Sequence, residues 1–381
     1  MRSGLGVAAA GLAALAVAMG VGRFAFTPIL PMMQQDAGLS VAAGGWLASA
    51  NYVGYLIGAL WAGAVRVNAA SAIRAGLATI GVATLAMALD AGFVAWALLR
   101  AAAGVASAWV LIHTSAWCLE RIAPGISPAG KPILPGILFA GVGAGVAAAG
   151  LLCVLLMALH AGSSTAWMVL GVVSIAATVA LWPLFHDSSK EAGKSGAPHR
   201  WSWQQVRLVV AYGAYGFGYI IPATFLPVMA RAVVSDPAVF GWAWPVFGMA
   251  AVLSTLGVAL LSGANGKGTG NRNAWIGSHL VMALGVAAPV FWPGIGGIVL
   301  AALCVGGTFV VITMVGLQEA RTVAGAQAPR LMAAMTAAFA AGQIAGPLSV
   351  SFVISAGGGF SAALLVACAA LVAGAALLLK R

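Results

Sequence analysis

The chain has 381 residues, of which 62% are apolar and only 7% charged, with 51 glycines. Soluble domains average about 45–50% apolar and about 25% charged, so a water-facing globule, a disordered chain and a disulfide-stapled secreted scaffold are all excluded. The formal charge of +11 would point to nucleic acid in a soluble protein, but here the placement of the charges matters more than their sum.

Twelve membrane spans of about 20 residues require about 240 apolar-rich positions, close to what this chain holds. Its apolar runs are continuous rather than alternating, which excludes a transmembrane β-barrel. The composition therefore predicts an all-α polytopic membrane protein. In chain order the predicted segments cover 5–33, 40–65, 73–90, 92–117, 133–159 and 165–185, then 205–230, 238–261, 274–292, 295–316, 331–355 and 360–379. Segment one is too long for the apolar core of a secretory leader and continues through Gly22-Arg23-Phe24 without a cleavage site. It is read as a retained first helix.

Between segments six and seven, the polar stretch 186–204 is rich in Lys, Ser and Gly and reads as a flexible linker. It divides the chain into predicted six-helix bundles at 1–185 and 205–381. With the N-terminus placed inside, most basic residues fall in cytoplasmic segments: Arg66 and Arg74, Arg121 and Lys131, Lys190 to Arg207, Lys267 and Arg272, Arg321 and Arg330, and both C-terminal residues. The outer segments hold Arg231 with Asp36, Asp90 and Asp236. This positive-inside bias requires an even number of spans and cytoplasmic termini. The net charge is thus a topology signal, and no nucleic-acid partner is expected.

An internal repeat supports the division. Gly20, Gly22, Leu30, Pro31 and Met33 recur at a fixed offset of 196 residues as Gly216, Gly218, Leu226, Pro227 and Met229. Gly45-Trp46 recurs as Gly241-Trp242 at the same offset. Parallel repeats about an axis along the membrane normal are the organisation of a two-lobed rocking transporter.

Among the basic residues only Arg23 and Arg100 lie deep inside apolar spans, Arg74 and Arg207 standing at cytoplasmic span ends. An arginine near the bilayer centre costs about 2.5–3.5 kcal/mol and normally faces a bundle interior or a wet cavity. Counted at 1.5 Å per residue from the outer helix ends, both lie about 12 Å deep. Two cations at one depth, with no carboxylate inside any span, point to an anion site. The plainer alternative is that one or both bond helix carbonyls and hold the bundle. His113 and His279 are the titratable groups left for coupling, His113 being the preferred one. Asn51 and Tyr55 share one helical face, as do Tyr212, Tyr215 and Tyr219. Thr27, Thr224, Thr308 and Gln343 add polar groups, whose commoner use is interhelical bonding. Trp242, Trp244, Trp201 and Trp203 lie near span ends, and most of them read as part of an interfacial belt. The glycines of segment five (Gly136, Gly141, Gly143, Gly145) and of segment eleven (Gly342, Gly346) allow close helix approach and are candidate sliding seams. The four cysteines form no CxxC pair, and no metal site or cofactor is expected.

Arg100-Ala-Ala-Ala-Gly104 resembles the fourth-helix Arg-x-x-x-Gly motif of the major facilitator superfamily, and Gly58-Ala59-Leu60 with Arg66 and Arg74 resembles a degraded form of its helix two–three motif, lacking the usual Asp. Gly22-Arg23-Phe24 with Thr27-Pro28 and Leu30-Pro31, Asn51-Tyr52 with Gly54-Tyr55, and Gly342-Gln343 with Gly346-Pro347 are similar to the bacterial YbfB/YjiJ-type branch. The resemblance covers the whole chain and implies the superfamily's fold of 12 transmembrane helices and transport, but no substrate. The expectation is a non-enzymatic secondary transporter, a monomer in the bacterial inner membrane, that moves a small, carboxylate-type organic anion by alternating access. Arg23, Arg100, Asn51, Tyr55, Tyr219, Gln343 and Thr27 would form its site. The competing readings are efflux of lipophilic drugs or metabolites and, from another class, a non-transporting receptor or scaffold.

Overall fold

Apolar runs of this length must satisfy their backbone polar groups internally, and a helix does so without partners. The computed structural model describes residues 3–65, 67–122, 133–186, 201–233, 237–264, 270–355 and 359–379, and among them all regular structure is helical. The first membrane segment, Gly4–Asp36, is built in three pieces: α1 (Gly4–Leu15), a nine-residue π-helical stretch (Ala16–Phe24) and α2 (Phe26–Asp36). The first half of the chain continues with α3 (Val41–Ala64), α4 (Ala69–Ala86), α5 (Gly92–Ile122), α6 (Ile133–Ala158) and α7 (Ser163–Leu181). The second half comprises α8 (Trp203–Val233), α9 (Pro237–Ala264), α10 (Gly270–Phe291), α11 (Ile295–Ala324), α12 (Ala328–Ser355) and α13 (Phe360–Leu379).

Among the described residues, ten segments are long and apolar enough to cross a membrane, against the twelve expected. Two physical features account for the difference. One continuous apolar run, Ile295–Val350, contains both α11 and most of α12, which are joined by a short turn at Gly325 with φ 52°. In addition, α3 carries glycines, Asn51 and two tyrosines that dilute its apolar character. Helices also extend beyond the expected ends: α5 reaches Ile122 and α11 reaches Ala324. Their last turns carry Glu120 with Arg121 and Glu319 with Arg321, polar residues that a helix accommodates once it leaves the apolar layer.

Local caps start several helices. The hydroxyls of Ser3 and Ser40 accept from the Gly6 and Ala43 amides, and Asn68 Oδ1 accepts from the Ser71 amide at 2.9 Å. These satisfy donors that a helix N-terminus leaves open. For α7 the cap comes from another helix: the Asp36 carboxylate at the end of α2 accepts from the Ser163 amide and, at 2.8 Å, from the Ser163 hydroxyl. At the opposite face, basic side chains bond carbonyls near helix ends. Arg74 Nε donates to the Trp182 carbonyl and Arg272 Nε to the Leu378 carbonyl.

Backbone-to-backbone packing is concentrated at glycines. Gly141 and Gly145 of α6 lie against the Leu12 and Ala16 backbone, and Gly104 of α5 lies against the Asn51 backbone of α3. In the second half, Gly216 and Gly342 perform the same role between α8 and α12. A Cβ at any of these positions would collide with backbone. Only part of the expected seam joins the two halves of the chain: Gly143 meets Gly248 of α9, and Gly136 meets Thr255 and Ala259. Gly342 and Gly346 pack within their own half, against α8, so that part of the seam expectation is corrected. Gly63 of α3 approaches Ala333 of α12, which closes the same end of the molecule as Gly136 and Ala259. Trp46 and Trp242, paired by the repeat, are both exposed, as residues facing lipid would be. The side chains of residues 224–241, including Thr224, Leu226, Pro227 and Met229, and the linker over 187–200 lie outside the described residues.

Candidate functional site

The π-helical stretch is the local irregularity on which the site is built. Long π-helical runs are rare and are frequently found at functional sites. Here the carbonyls of the stretch accept hydrogen bonds from side chains of three other helices. Ser107 Oγ of α5 lies 2.8 Å from the Ala18 carbonyl. Asn51 Nδ2 of α3 donates to the Gly22 carbonyl at 3.2 Å and to the Arg100 carbonyl at 2.9 Å. Arg100 Nη2 donates to the Arg23 carbonyl at 3.2 Å, with Nη1 at 3.5 Å from that of Gly22. Trp244 of α9 donates from its indole nitrogen to the Phe24 carbonyl at 3.2 Å. Irregular backbone at membrane depth persists only where protein groups satisfy it, and these side chains do so.

Two expected ligand groups are engaged with backbone here, although Arg100 Nε and Asn51 Oδ1 have no hydrogen-bond partner. Arg100 and Asn51 are both buried, and both spend donors on backbone carbonyls instead of facing the central void. Arg100 also lies over the Phe26 ring, 4.8 Å from its centroid. The expectation that the two arginines share one depth holds, because Arg100 reaches the carbonyl of Arg23 itself.

Arg23 does face the interior. It is 4% exposed, and its guanidinium carbon lies 3.9 Å from the centroid of the Tyr55 ring. One nitrogen, Nη2, donates to Gln343 Oε1 of α12, so this contact joins the two halves of the chain. The remaining side-chain donors of the pair, Arg23 Nε and Nη1 and Gln343 Nε2, are buried and have no hydrogen-bond partner. Buried polar groups are nearly always paired, and exceptions call for an explanation.

Beside Arg23 lies a void enclosed by Met19, Leu111, Val142, Tyr55, Tyr212, Tyr215, Tyr219, Phe309 and Phe339 among others. It is small, with room for roughly one or two water molecules. Arg23 is the one charged residue among the described residues that line it. Tyr219 and Phe309 stack with ring centroids 5.5 Å apart and an interplanar angle of 19°. Tyr215 is fixed by donating its hydroxyl to the Phe309 carbonyl at 2.7 Å.

The structure thus brings Arg23, Gln343, Tyr55 and Tyr219 together and leaves Thr27 out. Thr27 is exposed. A regular α-helix would place it on the Arg23 face, four residues on, but the π-helical stretch and the turn at Ala25 reset the register before α2 begins. His113 is buried with Nε2 unpartnered, in edge contact with Trp109 at 5.8 Å, and it does not line the void. Both ring nitrogens of His279 face carbonyls, those of Trp275 and Ala211. Phe309, Phe339, Phe247 and Trp244 were not legible as site residues in the sequence. Trp244 in particular is half-buried and bonded across the halves, so it is not part of an interfacial belt. The 196-residue offset held a usable signal: it maps Arg23 onto Tyr219, and both face the void.

Comparison with known proteins fits this architecture. A family model described as "Uncharacterised MFS-type transporter YbfB" matches residues 15–379. The chain belongs to that family. Its members fall within the major facilitator superfamily, so this is a multi-pass membrane protein of a transporter family. A curated relative, the uncharacterized MFS-type transporter YceJ of Bacillus subtilis (strain 168), is 35% identical over 94 residues. That match spans 24% of the length of each chain. Among solved structures, the human organic anion transporter MFSD10 (TETRAN) superposes with a TM-score of 0.72 at 14% identity. It covers 97% of this chain and 99% of its own. That likeness establishes the fold of the superfamily.

Proposed function

We propose that the protein is a secondary active transporter that carries a small, carboxylate-type organic anion by alternating access. The observation that carries this reading is the set of unmet groups beside the void. Arg23 Nε, Arg23 Nη1 and Gln343 Nε2 are all donors, so the missing partner is an acceptor, and the adjacent guanidinium favours one with negative charge. A carboxylate has the geometry to take two of these donors at once. The void is too small for an organic molecule, so cargo enters only when the halves 1–185 and 205–381 part. Arg23 on one half and Gln343 on the other are then exposed together. Arg100 and Asn51 act in this reading by holding the Arg23 backbone, and His113 is the residue for proton coupling. The human structural neighbour is named as an organic anion transporter, which agrees with the reading without carrying it. The protein works as a monomer in a bacterial inner membrane with both termini cytoplasmic. Efflux of lipophilic compounds is the second reading, favoured by the aromatic walls.

The test is counterflow of labelled monocarboxylates in proteoliposomes, with wild type and Arg23→Gln compared. Saturable flux that the substitution abolishes in a folded protein is the expected result. Unchanged flux in Arg23→Gln, or inhibition by lipophilic cations and not by anions, would overturn the anion assignment.

A further inference from the structure

The walls of the same site narrow the cargo further, on the footing of the anion reading above. Beyond Arg23 the second half of the chain supplies a row of rings in near-parallel planes. Phe309 stacks on Tyr219 on one side and on Phe247 on the other, the latter at 4.9 Å and 20°. Phe247 in turn stacks on Trp244 at 5.3 Å and 14°. At the other end Tyr219 stacks on Phe339 at 6.2 Å and 28°, and the Arg23 guanidinium carbon is 5.7 Å from the Phe339 centroid. Charge therefore lies alongside a slab of π faces, with the Arg23 guanidinium also 5.6 Å from the Phe24 ring, which meets Phe309 edge-on. The first half of the chain contributes the cation, and the second half contributes the slab from α8, α9, α11 and α12.

From this arrangement we infer that the cargo is a flat aromatic monoanion, an aryl carboxylate, whose ring enters the Tyr219–Phe309 row while its carboxylate meets Arg23 and Gln343. Two features carry the inference. Facing rings reward a planar π partner beyond the area it buries, which a saturated ring of equal size does not match. Arg23 is the one described cation that lines the void, Arg100 lying behind its backbone, so a second carboxylate carried into the ring row would be stripped of water with no cation lining that part of the site. The repeat explains the asymmetry: Arg23 and Tyr219 occupy equivalent positions, so the duplicated frame presents an acid-binding end and a ring-binding end to one ligand.

The test is isothermal titration of the purified full chain with benzoate, cyclohexanecarboxylate and terephthalate. Benzoate and cyclohexanecarboxylate share charge and ring size and differ in the π system; terephthalate adds a second charge to the same ring. Benzoate should bind about tenfold tighter than cyclohexanecarboxylate, and terephthalate should bind more weakly than benzoate. Phe309→Leu should bring the benzoate to cyclohexanecarboxylate ratio close to one. Phe247→Leu, at the next ring in the row, gives the same readout in a reduced degree and serves if the first variant does not fold. Equal affinity for benzoate and cyclohexanecarboxylate overturns the aromatic inference while leaving the anion reading intact. Terephthalate binding as tightly as benzoate overturns the monoanion part. Binding of none of the three anions overturns both readings together.

Discussion

Removing the polar pair at the centre of the protein should stabilise it while destroying its binding function. Arg23 carries an insertion cost of about 2.5–3.5 kcal/mol. Its contact with Gln343 offsets about 1.5–3 kcal/mol as a charged hydrogen bond, and the Tyr55 face 3.9 Å away adds about 2 kcal/mol as a desolvated cation–π contact. These terms roughly cancel; of the three donors without acceptors, the two on Arg23 are already counted in its insertion cost, and Gln343 Nε2 adds about 1–3 kcal/mol that decides the sign. Arg23→Met alone frees two of them but strands Gln343. The double variant Arg23→Met/Gln343→Leu removes the whole polar island with side chains of similar volume. Replacement of a buried charged group in this way is neutral or stabilising by about 1–4 kcal/mol. Arg100→Met should do the opposite, because its donors reach carbonyls of the π-helical stretch that lose a partner. Equilibrium unfolding in mixed micelles measures both stabilities, and titration with a monocarboxylate measures binding. If the double variant is destabilised as strongly as Arg100→Met, Arg23 is a strut and not a ligand-binding group, and the site as argued does not exist.

Other expectations follow from individual contacts. Asp36→Ala removes the cap that α2 supplies to α7 and should cost about 1 kcal/mol, lowering the melting temperature by roughly 1–2 °C with anion affinity unchanged. Gly143→Leu places a side chain where the Gly248 carbonyl and the Val252 amide now approach. The variant should fold and bind anion but hold the halves apart, so that counterflow falls at least about tenfold, a change of 1.4 kcal/mol in the barrier. His113→Gln should flatten the pH dependence of uptake if the histidine couples protons to transport; an unchanged pH profile removes it from the mechanism, whereas His279→Gln should lower stability because both its nitrogens face carbonyls.

The helical architecture was legible because a bilayer leaves the chain few alternatives, and apolar run length is a coarse signal that single substitutions barely disturb. The burial of Arg23, Gln343, Tyr55 and Tyr219 was legible for the same reason: polar groups inside long apolar runs turn inward. What the sequence could not convey was direction around the helix. Thr27 was included as a polar group in a segment that has few, and it is exposed beyond the π-helical stretch and the turn at Ala25. Arg100 and Asn51 offer the same kind of polar groups as Arg23, and only the proximity of the Gly22 and Arg23 carbonyls shows that Asn51 Nδ2 and Arg100 Nη1 and Nη2 are engaged with backbone, Arg100 Nε remaining without a partner. The aromatic row was hidden by composition, since Phe247, Phe309 and Phe339 look like any core phenylalanine until their planes are seen to align.

The irregular first helix explains why one arginine is held in place while another remains available. In a regular α-helix each carbonyl is directed along the axis to the amide four residues on, and side chains from neighbouring helices find few acceptors there. The π-helical stretch is instead gripped by Ser107, Asn51 and Arg100 from its own half of the chain. The backbone under Arg23 is therefore fixed without using the Arg23 side chain. Such preorganisation reduces the ordering that a ligand must bring about on binding. Across the halves the polar ties among these groups are fewer: Trp244 to the Phe24 carbonyl and Arg23 to Gln343. The neutral Trp244 tie is worth about 0.6 kcal/mol and the charged Arg23–Gln343 tie about 1.5–3 kcal/mol, so the two together resist separation of the halves by only a few kcal/mol. A carboxylate that satisfied the three open donors would add a stronger bond between Arg23 and Gln343, and the closed state would gain stability when cargo is present. Such coupling between occupancy and closure is what the proposed alternating access requires, and it would arise from donors left unmet at the Arg23–Gln343 contact between the halves.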